Sequence, residues 1–212
     1  MVMNERRYLF HLIDEGEHQQ QDFKYKVTDA PKLAKSVSAF ANTDGGRLLI
    51  GVRDDGHLSG VRSEEEIYMM HAAAYRYCRP SASIKFDTYV VDGRTIVVAT
   101  VPPAEKKPVC AVDEEGRARA YIRIADENIV ATPVHLAIWR EQSASSGALT
   151  VYSEAESKLI GAMASSPRQT LNQIVRRSRL PRRKVIAMLA RFVRYELVAC
   201  EFADHQFFFS LK

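Results

Sequence analysis

A helical segment in the last third of the chain carries an unusual concentration of positive charge. Residues 168–194 contain nine basic side chains and no acidic one. The basic residues are Arg168, Arg176, Arg177, Arg179, Arg182, Arg183, Lys184, Arg191 and Arg194. Apolar residues such as Ile174, Val185 and Leu189 recur there at helical spacing. A folded surface of one charge sign is typical of proteins that bind phosphate groups, although a solvated helix face has the same composition.

A second candidate surface lies on a predicted strand over residues 117–124. Its polar members are Arg117, Arg119, Tyr121 and Arg123, and they alternate with Ala118, Ala120, Ile122 and Ile124. Because successive side chains of a strand point to opposite faces, this pattern places three guanidinium groups and a phenol on one face. Such a face could follow a phosphate backbone and stack a base. It could equally be a solvated face that pairs with acids on the next strand.

Charge is shared unevenly along the 212 residues. From Thr150 onward there are 11 basic and 5 acidic residues, whereas the preceding part has 19 basic and 21 acidic residues. The formal net charge of +4 therefore comes from the last third of the chain. This asymmetry predicts two domains with different roles.

The cysteines and the apolar stretches restrict the class of protein. Cys78, Cys110 and Cys200 are far apart and form no C-x-x-C pair, so the sequence indicates neither a zinc site nor a disulfide framework. No apolar stretch is long enough to cross a bilayer, and the first residues lack the apolar core of a signal peptide. We expect a reduced, cytoplasmic protein without a membrane partner.

Secondary-structure patterns predict a first domain over residues 1–141, a linker over 142–149 and a second domain over 150–212. In the first domain helical and strand patterns alternate. Asp92–Gly93 predicts a hairpin, and Ser63 with Glu66 predicts a capping box. Helices interspersed among strands, some of them joined by hairpins, indicate an α+β fold with a mixed or antiparallel sheet. After the linker, three helical patterns precede a two-stranded hairpin joined through Asp204–His205.

That last order of elements resembles the winged helix-turn-helix domains of bacterial transcription regulators, over roughly residues 149–212. The resemblance implies that the third helix enters the major groove of DNA. It assigns nucleic-acid contacts to basic residues around its start: Arg176, Arg177, Arg179, Arg182, Arg183 and Lys184. Glu196 stands where such domains usually have Gly, and the turn contains Arg179 and Pro181 in place of small residues. Winged helices also serve as dimerisation or protein-binding modules.

The first domain contains a more specific motif. The residues Ala39-Phe40-Ala41-Asn42-Thr43-Asp44-Gly45-Gly46 are followed by Leu49-Ile50-Gly51-Val52-Arg53-Asp54-Asp55-Gly56. These blocks resemble the Schlafen-type AlbA-like domain, over about residues 17–139. Asn42, Gly45 and Gly46 form a glycine turn that admits either a tight helix end or the close approach of a phosphate. The phosphate-loop motif G-x-x-x-x-G-K-[ST] is absent from the sequence.

The same resemblance implies a possible catalytic site. In nucleolytic Schlafens two glutamates and a later acid form a metal-dependent RNA-cutting site, and the matching positions are Glu17, Asp22 and Asp54, or Asp55 in another register. Such carboxylates could hold Mg²⁺ or Mn²⁺. Asp22 is one methylene shorter than the usual Glu, and solvent-facing acids are the alternative. We expect no efficient nuclease activity and no resident cofactor.

Taken as a whole, the sequence predicts a DNA-binding transcription regulator that forms a homodimer, with RNA as another possible partner. Two other hypotheses stay open. One is a metal-dependent ribonuclease that uses the three acids, and the other is a protein-interaction or dimerisation module.

Overall fold

The computed structural model describes residues 2–61, 63–143 and 153–212. These residues form two compact units, Met1–Ala131 and Thr132–Lys212. The division precedes the boundary expected at residue 141, because helix α4 (Pro133–Ser143) packs on helix α7 (Arg182–Arg194) of the second unit. Most of the predicted linker, residues 142–149, lies outside the described residues, so its role stays a prediction.

The first unit combines helices with two sheets, which confirms the predicted α+β class. Its helices are α1 (Val2–Asp14), α2 (Ala30–Asn42) and α3 (Glu64–Tyr75). Its strands are β1 (Gln21–Lys24), β2 (Gly46–Ile50), β3 (Cys78–Arg79), β4 (Lys85–Val91), β5 (Arg94–Val101), β6 (Cys110–Val112), β7 (Ala118–Ile124) and β8 (Glu127–Val130). The first sheet has the order β1-β2-β5-β4 and is mixed, because only the β1–β2 pair is parallel. The second sheet, β3-β6-β7-β8, is antiparallel throughout.

Helices cover both faces of the mixed sheet, because consecutive residues of its central strands are apolar and point to opposite faces. Leu48 and Ile50 of β2 pack in one core cluster with residues of α2, including Phe40. Leu49 points the other way and packs with Leu9 of α1. Asp29 caps the start of α2 by accepting the Lys32 backbone N–H at 2.8 Å. Helix α2 also packs against β7, so it lies at the junction of the two sheets.

The second unit is a small helical domain with a three-stranded sheet. In addition to α4 and α7 it contains α5 (Glu154–Ala164), α6 (Leu171–Ser178), β9 (Gln169–Thr170), β10 (Val198–Ala203) and β11 (Gln206–Leu211). The antiparallel sheet has the order β10-β11-β9. Asp204 and His205 both have positive φ, as a two-residue hairpin turn requires, so the predicted terminal hairpin is confirmed. None of the helices in the described residues is long and apolar enough to cross a membrane.

Candidate nucleic-acid interface

The basic surface of the second unit is built by α6, α7 and the turn between them. Thr170 caps α6 in a capping box with Gln173, which fixes where the helix begins. Along α7, Val185, Leu189 and Phe192 are buried at helical spacing in the core of the unit. The opposite side of the first turn of α7 must therefore face solvent.

All six cations assigned to this surface are exposed. They are Arg176, Arg177, Arg179, Arg182, Arg183 and Lys184. None of the ion pairs among the described residues includes any of them. Arg182 Nη1 donates to Asn172 Oδ1 at 2.6 Å, and Arg177 Nη1 lies 3.5 Å from Ser165 Oγ, so their contacts are with neutral groups. Arg191, by contrast, is paired with Glu156.

The start of α7 adds to this positive surface. Pro181 is the N-cap residue, and its side chain accepts no hydrogen bond from the first turn. Arg182, Arg183 and Lys184 therefore lie at the positive end of a helix dipole that no acid in its first turn offsets. Helix dipole and side-chain charge both favour an anion at this position.

The basic face predicted on β7 is not continuous. Arg117 and Arg119 are exposed, but Tyr121 and Arg123 are buried, because α2 covers this part of the strand. Arg117 is also neutralised, with its guanidinium 2.7 Å from both the Asp113 and the Glu115 carboxylates. The prediction of one exposed face with three guanidinium groups and a phenol is therefore wrong at Tyr121 and Arg123.

Arg123 is an interior residue, with a relative exposure of 2%. Its Nη2 donates to the Gln21 carbonyl at 3.1 Å and lies 3.6 Å from Asp22 Oδ1. Its Nη1 donates to Asn128 Oδ1 at 3.1 Å, and the guanidinium lies over the Phe40 ring. Alternation of polar and apolar residues reveals the two faces of a strand, but it cannot reveal that both faces are covered.

The structure brings Glu17 and Asp22 together. Glu17 is exposed as a residue, yet its Oε1 accepts the Phe23 backbone N–H at 2.8 Å and its carboxyl group contacts Asp22. Partial loss of water and the hydrogen bond to Asp22 raise the pKa of Glu17, while the bond from Phe23 opposes the rise. Asp22 is buried, and its Oδ2 lies 2.7 Å from Lys24 Nζ.

The third acid of the implied catalytic set does not join this pair. Asp54 and Asp55 are exposed and lie in the turn after β2. Asp55 Oδ1 accepts the His57 backbone N–H at 3.0 Å, and this bond lowers the pKa of Asp55. Within residues 2–61, 63–143 and 153–212, no group of three or more His, Cys, Asp or Glu side chains could hold a metal ion.

The glycine turn is built for packing. Gly45 has φ of +72°, and a Cβ on it would lie 2.9 Å from the Val101 carbonyl oxygen. A Cβ on Gly46 would lie 2.4 Å from Phe40 Cδ1 and 2.9 Å from the Gln20 carbonyl oxygen. Both distances are too short for a side chain, so glycine is required here by the protein's own neighbours.

Asn42 also has a structural role, and it connects α2 to the second sheet. Its Nδ2 donates to the Val109 carbonyl at 2.7 Å and to the Tyr121 carbonyl at 2.9 Å. Its Oδ1 accepts the Val109 backbone N–H at 2.8 Å. The amide thus occupies the place of one further pair of ladder hydrogen bonds beyond the Cys110–Ala120 pairing of β6 and β7. The available signal in the sequence was an Asn at the end of the helix, directly after the apolar residues Phe40 and Ala41.

Sequence reasoning missed a set of lysines around the first half of α2. Lys24, Lys26, Lys32 and Lys35 line one cleft of the first unit. The signal was present in the sequence, because residues 24–35 contain four lysines and a single acid, Asp29. Without the fold, nothing showed that the lysines share one cleft.

The family match among known proteins falls almost wholly in the first unit. The sequence model of the family described as Schlafen, AlbA_2 matches residues 17–132. A crystal structure of a protein from Corynebacterium diphtheriae shares 22% identity over 61% of this chain, with a TM-score of 0.42, and the match spans only 25% of that protein. The solution structure of the N-terminal domain of a RecG-related protein from Nitrosomonas europaea shares 23% identity. It covers 69% of this chain and 95% of its own, with a TM-score of 0.40. The search of curated proteins gave no match.

Proposed function

The chain belongs to the Schlafen AlbA_2 family, and we propose that it is a DNA-binding transcription regulator that contacts duplex DNA through its second unit. One observation carries the proposal: six exposed cations surround the α6–α7 turn, and none of them has an ion-pair partner among the described residues. A surface of this kind gains free energy on binding DNA, because its cations release the counterions condensed on the phosphates.

The order of elements supports a winged helix-turn-helix. Helices α5, α6 and α7 are followed by the β10–β11 hairpin, and β9 adds the third strand that such domains place before the second helix. In this arrangement α7 is the recognition helix and the hairpin is the wing. Arg182 and Arg183 then lie at the end of the helix that meets the base edges.

The two kinds of contact have different consequences. Arginine can bond the O6 and N7 atoms of guanine with two parallel hydrogen bonds, which discriminates between bases by about 1–3 kcal/mol. A phosphate contact instead adds about 0.9 to the slope of log affinity against log salt concentration. We assign Arg176, Arg177 and Arg179 to the flanking phosphates, and Arg182 and Arg183 to the base edges or to the phosphates beside them.

We further propose a cytoplasmic homodimer. Regulators with one recognition helix per chain commonly bind two half-sites about one helical turn apart, and a two-fold symmetric dimer matches such a site. The first unit would then serve as a sensor, as a dimerisation platform or as a second nucleic-acid surface.

The test compares two double variants of the full chain on labelled duplex DNA across a salt series. Arg182→Ala with Arg183→Ala removes two cations of α7. Arg7→Ala with Arg53→Ala removes two exposed arginines of the first unit and is the matched control. We expect the first variant to weaken binding at least tenfold, with a slope reduced by up to about 2 where both residues contact phosphate. We expect the control to stay within about twofold of wild type.

Equal affinity and equal salt slope in the two variants would contradict the proposal. Circular dichroism melting of both proteins checks that the substitutions leave the fold intact. Because Arg182 and Arg183 are exposed, their substitution should leave the fold intact. A loss of binding would then reflect lost contacts with DNA.

A further inference from the structure

A cleft of about 370 Å³ lies along the first half of α2 in the first unit. Lys24 and Lys26 approach it from the end of β1, and Lys32 and Lys35 approach it from the helix. Its volume falls in the range of ligand-binding clefts.

The positive charge of this cleft is largely unbalanced. Lys26, Lys32 and Lys35 are exposed, and none of the ion pairs among the described residues includes them. Lys24 is paired with Asp22 at 2.7 Å. Asp29 is the one acid among the described lining residues, and its Oδ1 accepts the Lys32 backbone N–H. Because Lys32 and Lys35 are one helical turn apart, they repel each other until an anion lies between them.

The floor of the cleft is a fixed network of polar side chains. Asn128 Nδ2 donates to Ser36 Oγ at 2.9 Å, and both residues line the cleft. Asn128 Oδ1 in turn accepts a hydrogen bond from the buried Arg123. These contacts hold Ser36 and Asn128 in one geometry, so an anion meets a surface that is already shaped.

A second cleft of about 290 Å³ continues the track, and Lys35 lines both. Arg119 lines the second cleft and is exposed, while Arg117 there is occupied by its two acids. Tyr121 is buried and offers no free ring face for a base. Asp113 and Glu115 also line the second cleft, where they pair with Arg117. The cations that a ligand meets without an ion-pair partner among the described residues are therefore Lys26, Lys32, Lys35 and Arg119.

We propose that this α2 groove, defined by Lys24, Lys26, Lys32, Lys35 and Arg119, binds the sugar–phosphate backbone of a single-stranded nucleic acid without regard to base sequence. The cations line concave clefts of about 370 and 290 Å³. A flexible single strand can lay its phosphates into such clefts, whereas a duplex is too stiff to bend into them. Among the described residues no exposed aromatic side chain lines either cleft, so the groove lacks the stacking platform that many single-strand binders use. Its contacts would go to phosphates, which carry no base sequence information. The groove lies entirely in the first unit and is independent of the contacts proposed for α7.

The experiment uses the full chain and labelled oligothymidylate and oligouridylate of about twelve nucleotides. Lys32→Glu with Lys35→Glu reverses two charges in the groove. Lys85→Glu with Lys106→Glu makes the same charge change at exposed positions of the first unit outside it. We expect the groove variant to bind single strands at least tenfold more weakly than the control, with a salt slope lower by about 0.7 for each lost phosphate contact.

Lys26→Glu and Arg119→Glu each reverse one charge, at the two ends of the α2 groove. Each should weaken binding of the oligonucleotides. Equal affinities of the groove variant and its control would overturn the inference. Tighter binding of free ATP than of the oligonucleotide, measured by competition, would overturn it as well, because the site would then take a mononucleotide.

The outcome is separable from that of the proposed function. Arg182→Ala with Arg183→Ala should reduce duplex binding and leave the difference between the two lysine variants on single strands unchanged. If the arginine variant keeps its affinity for duplex DNA while the groove variant loses affinity for single strands, the proposed function is contradicted. The inference about the α2 groove is then supported.

Discussion

Asp22 and Arg123 face each other in the interior of the first unit, with 3.6 Å between the carboxylate Oδ1 and the guanidinium Nη2. Their relative exposures are 5% and 2%. The pair joins β1 of the mixed sheet to β7 of the antiparallel sheet. A charge in such a position is tolerated only while its partner and its hydrogen bonds remain.

Arg123→Ala should therefore destabilise the first unit by about 3–5 kcal/mol, because it leaves a buried carboxylate with Lys24 as its remaining ion-pair partner among the described residues. Urea unfolding followed by circular dichroism measures the change. Arg119→Ala, two residues away on the same strand but exposed, is the matched control and should change stability by no more than about 0.5 kcal/mol. Similar losses in both variants would show that Arg123 has no special role.

Gly46→Ala should destabilise the first unit by more than about 2 kcal/mol, because the new methyl group would overlap the Phe40 ring and the Gln20 carbonyl. Gly161→Ala in α5 is the opposite case. Nothing lies within 4 Å of a Cβ there, so the substitution should stabilise that helix by about 0.5–1 kcal/mol. Thermal melting of both variants provides the comparison. A harmless Gly46→Ala that abolished ligand binding would instead indicate that the glycine turn contacts a ligand.

Glu196→Gly should raise the stability of the second unit by about 1 kcal/mol. Glu196 has φ of +59°, and the backbone N–H groups of Glu196 and Leu197 donate to the Val193 and Phe192 carbonyls. This is the Schellman end of a helix, where a left-handed residue is required and glycine carries no steric cost. The exposed ion pair of Glu196 with Lys212, at 3.8 Å, contributes little. Glu196→Ala loses that ion pair without relieving the backbone, so it should show no gain.

His135 should make the second unit sensitive to acid. Burial lowers the pKa of His135 from 6.5 to about 4, so the unfolded chain takes up a proton at a higher pH than the folded unit does. Between pH 6.5 and pH 4 the unfolded state binds more protons, and stability falls as the pH is lowered through this window, by at most about 3 kcal/mol. Denaturant unfolding at several pH values measures the slope. In His135→Gln that part of the slope should be absent, and an unchanged slope would contradict the assignment.

Local signals in the sequence predicted the elements well. Asp92–Gly93 forms the expected hairpin turn, and both residues have positive φ. Ser153 and Thr170 are N-cap residues of α5 and α6, and each cap depends only on residues within one turn. The capping box predicted at Ser63 was wrong: the Ser63 side chain makes no cap bond, and Glu66 accepts the backbone N–H of Val27 instead. The Glu66 carboxylate thus bonds a backbone N–H that is distant in the sequence, and a capping-box pattern cannot show this.

The candidate sites depended more on distant contacts, which the sequence does not show. The exposure of the cations on α7 could be predicted, because the apolar spacing of one helix settles which side faces out. The burial of Arg123 and the gathering of Lys24 with Lys35 depend on how α2 packs against β7 and its neighbouring strands. The meeting of Glu17 and Asp22 follows from a short loop and was within reach of sequence reasoning.

The Asn42 amide has a mechanical consequence. Because it bonds both Val109 and Tyr121, the last turn of α2 cannot slide along the antiparallel sheet without breaking three buried hydrogen bonds. Lys32 and Lys35 are carried by the same helix, and Arg119 lies on the strand to which that helix is joined. The spacing between these cations is therefore preorganised. A strand that enters the groove need not rearrange the protein, and little of the binding free energy is lost in ordering it.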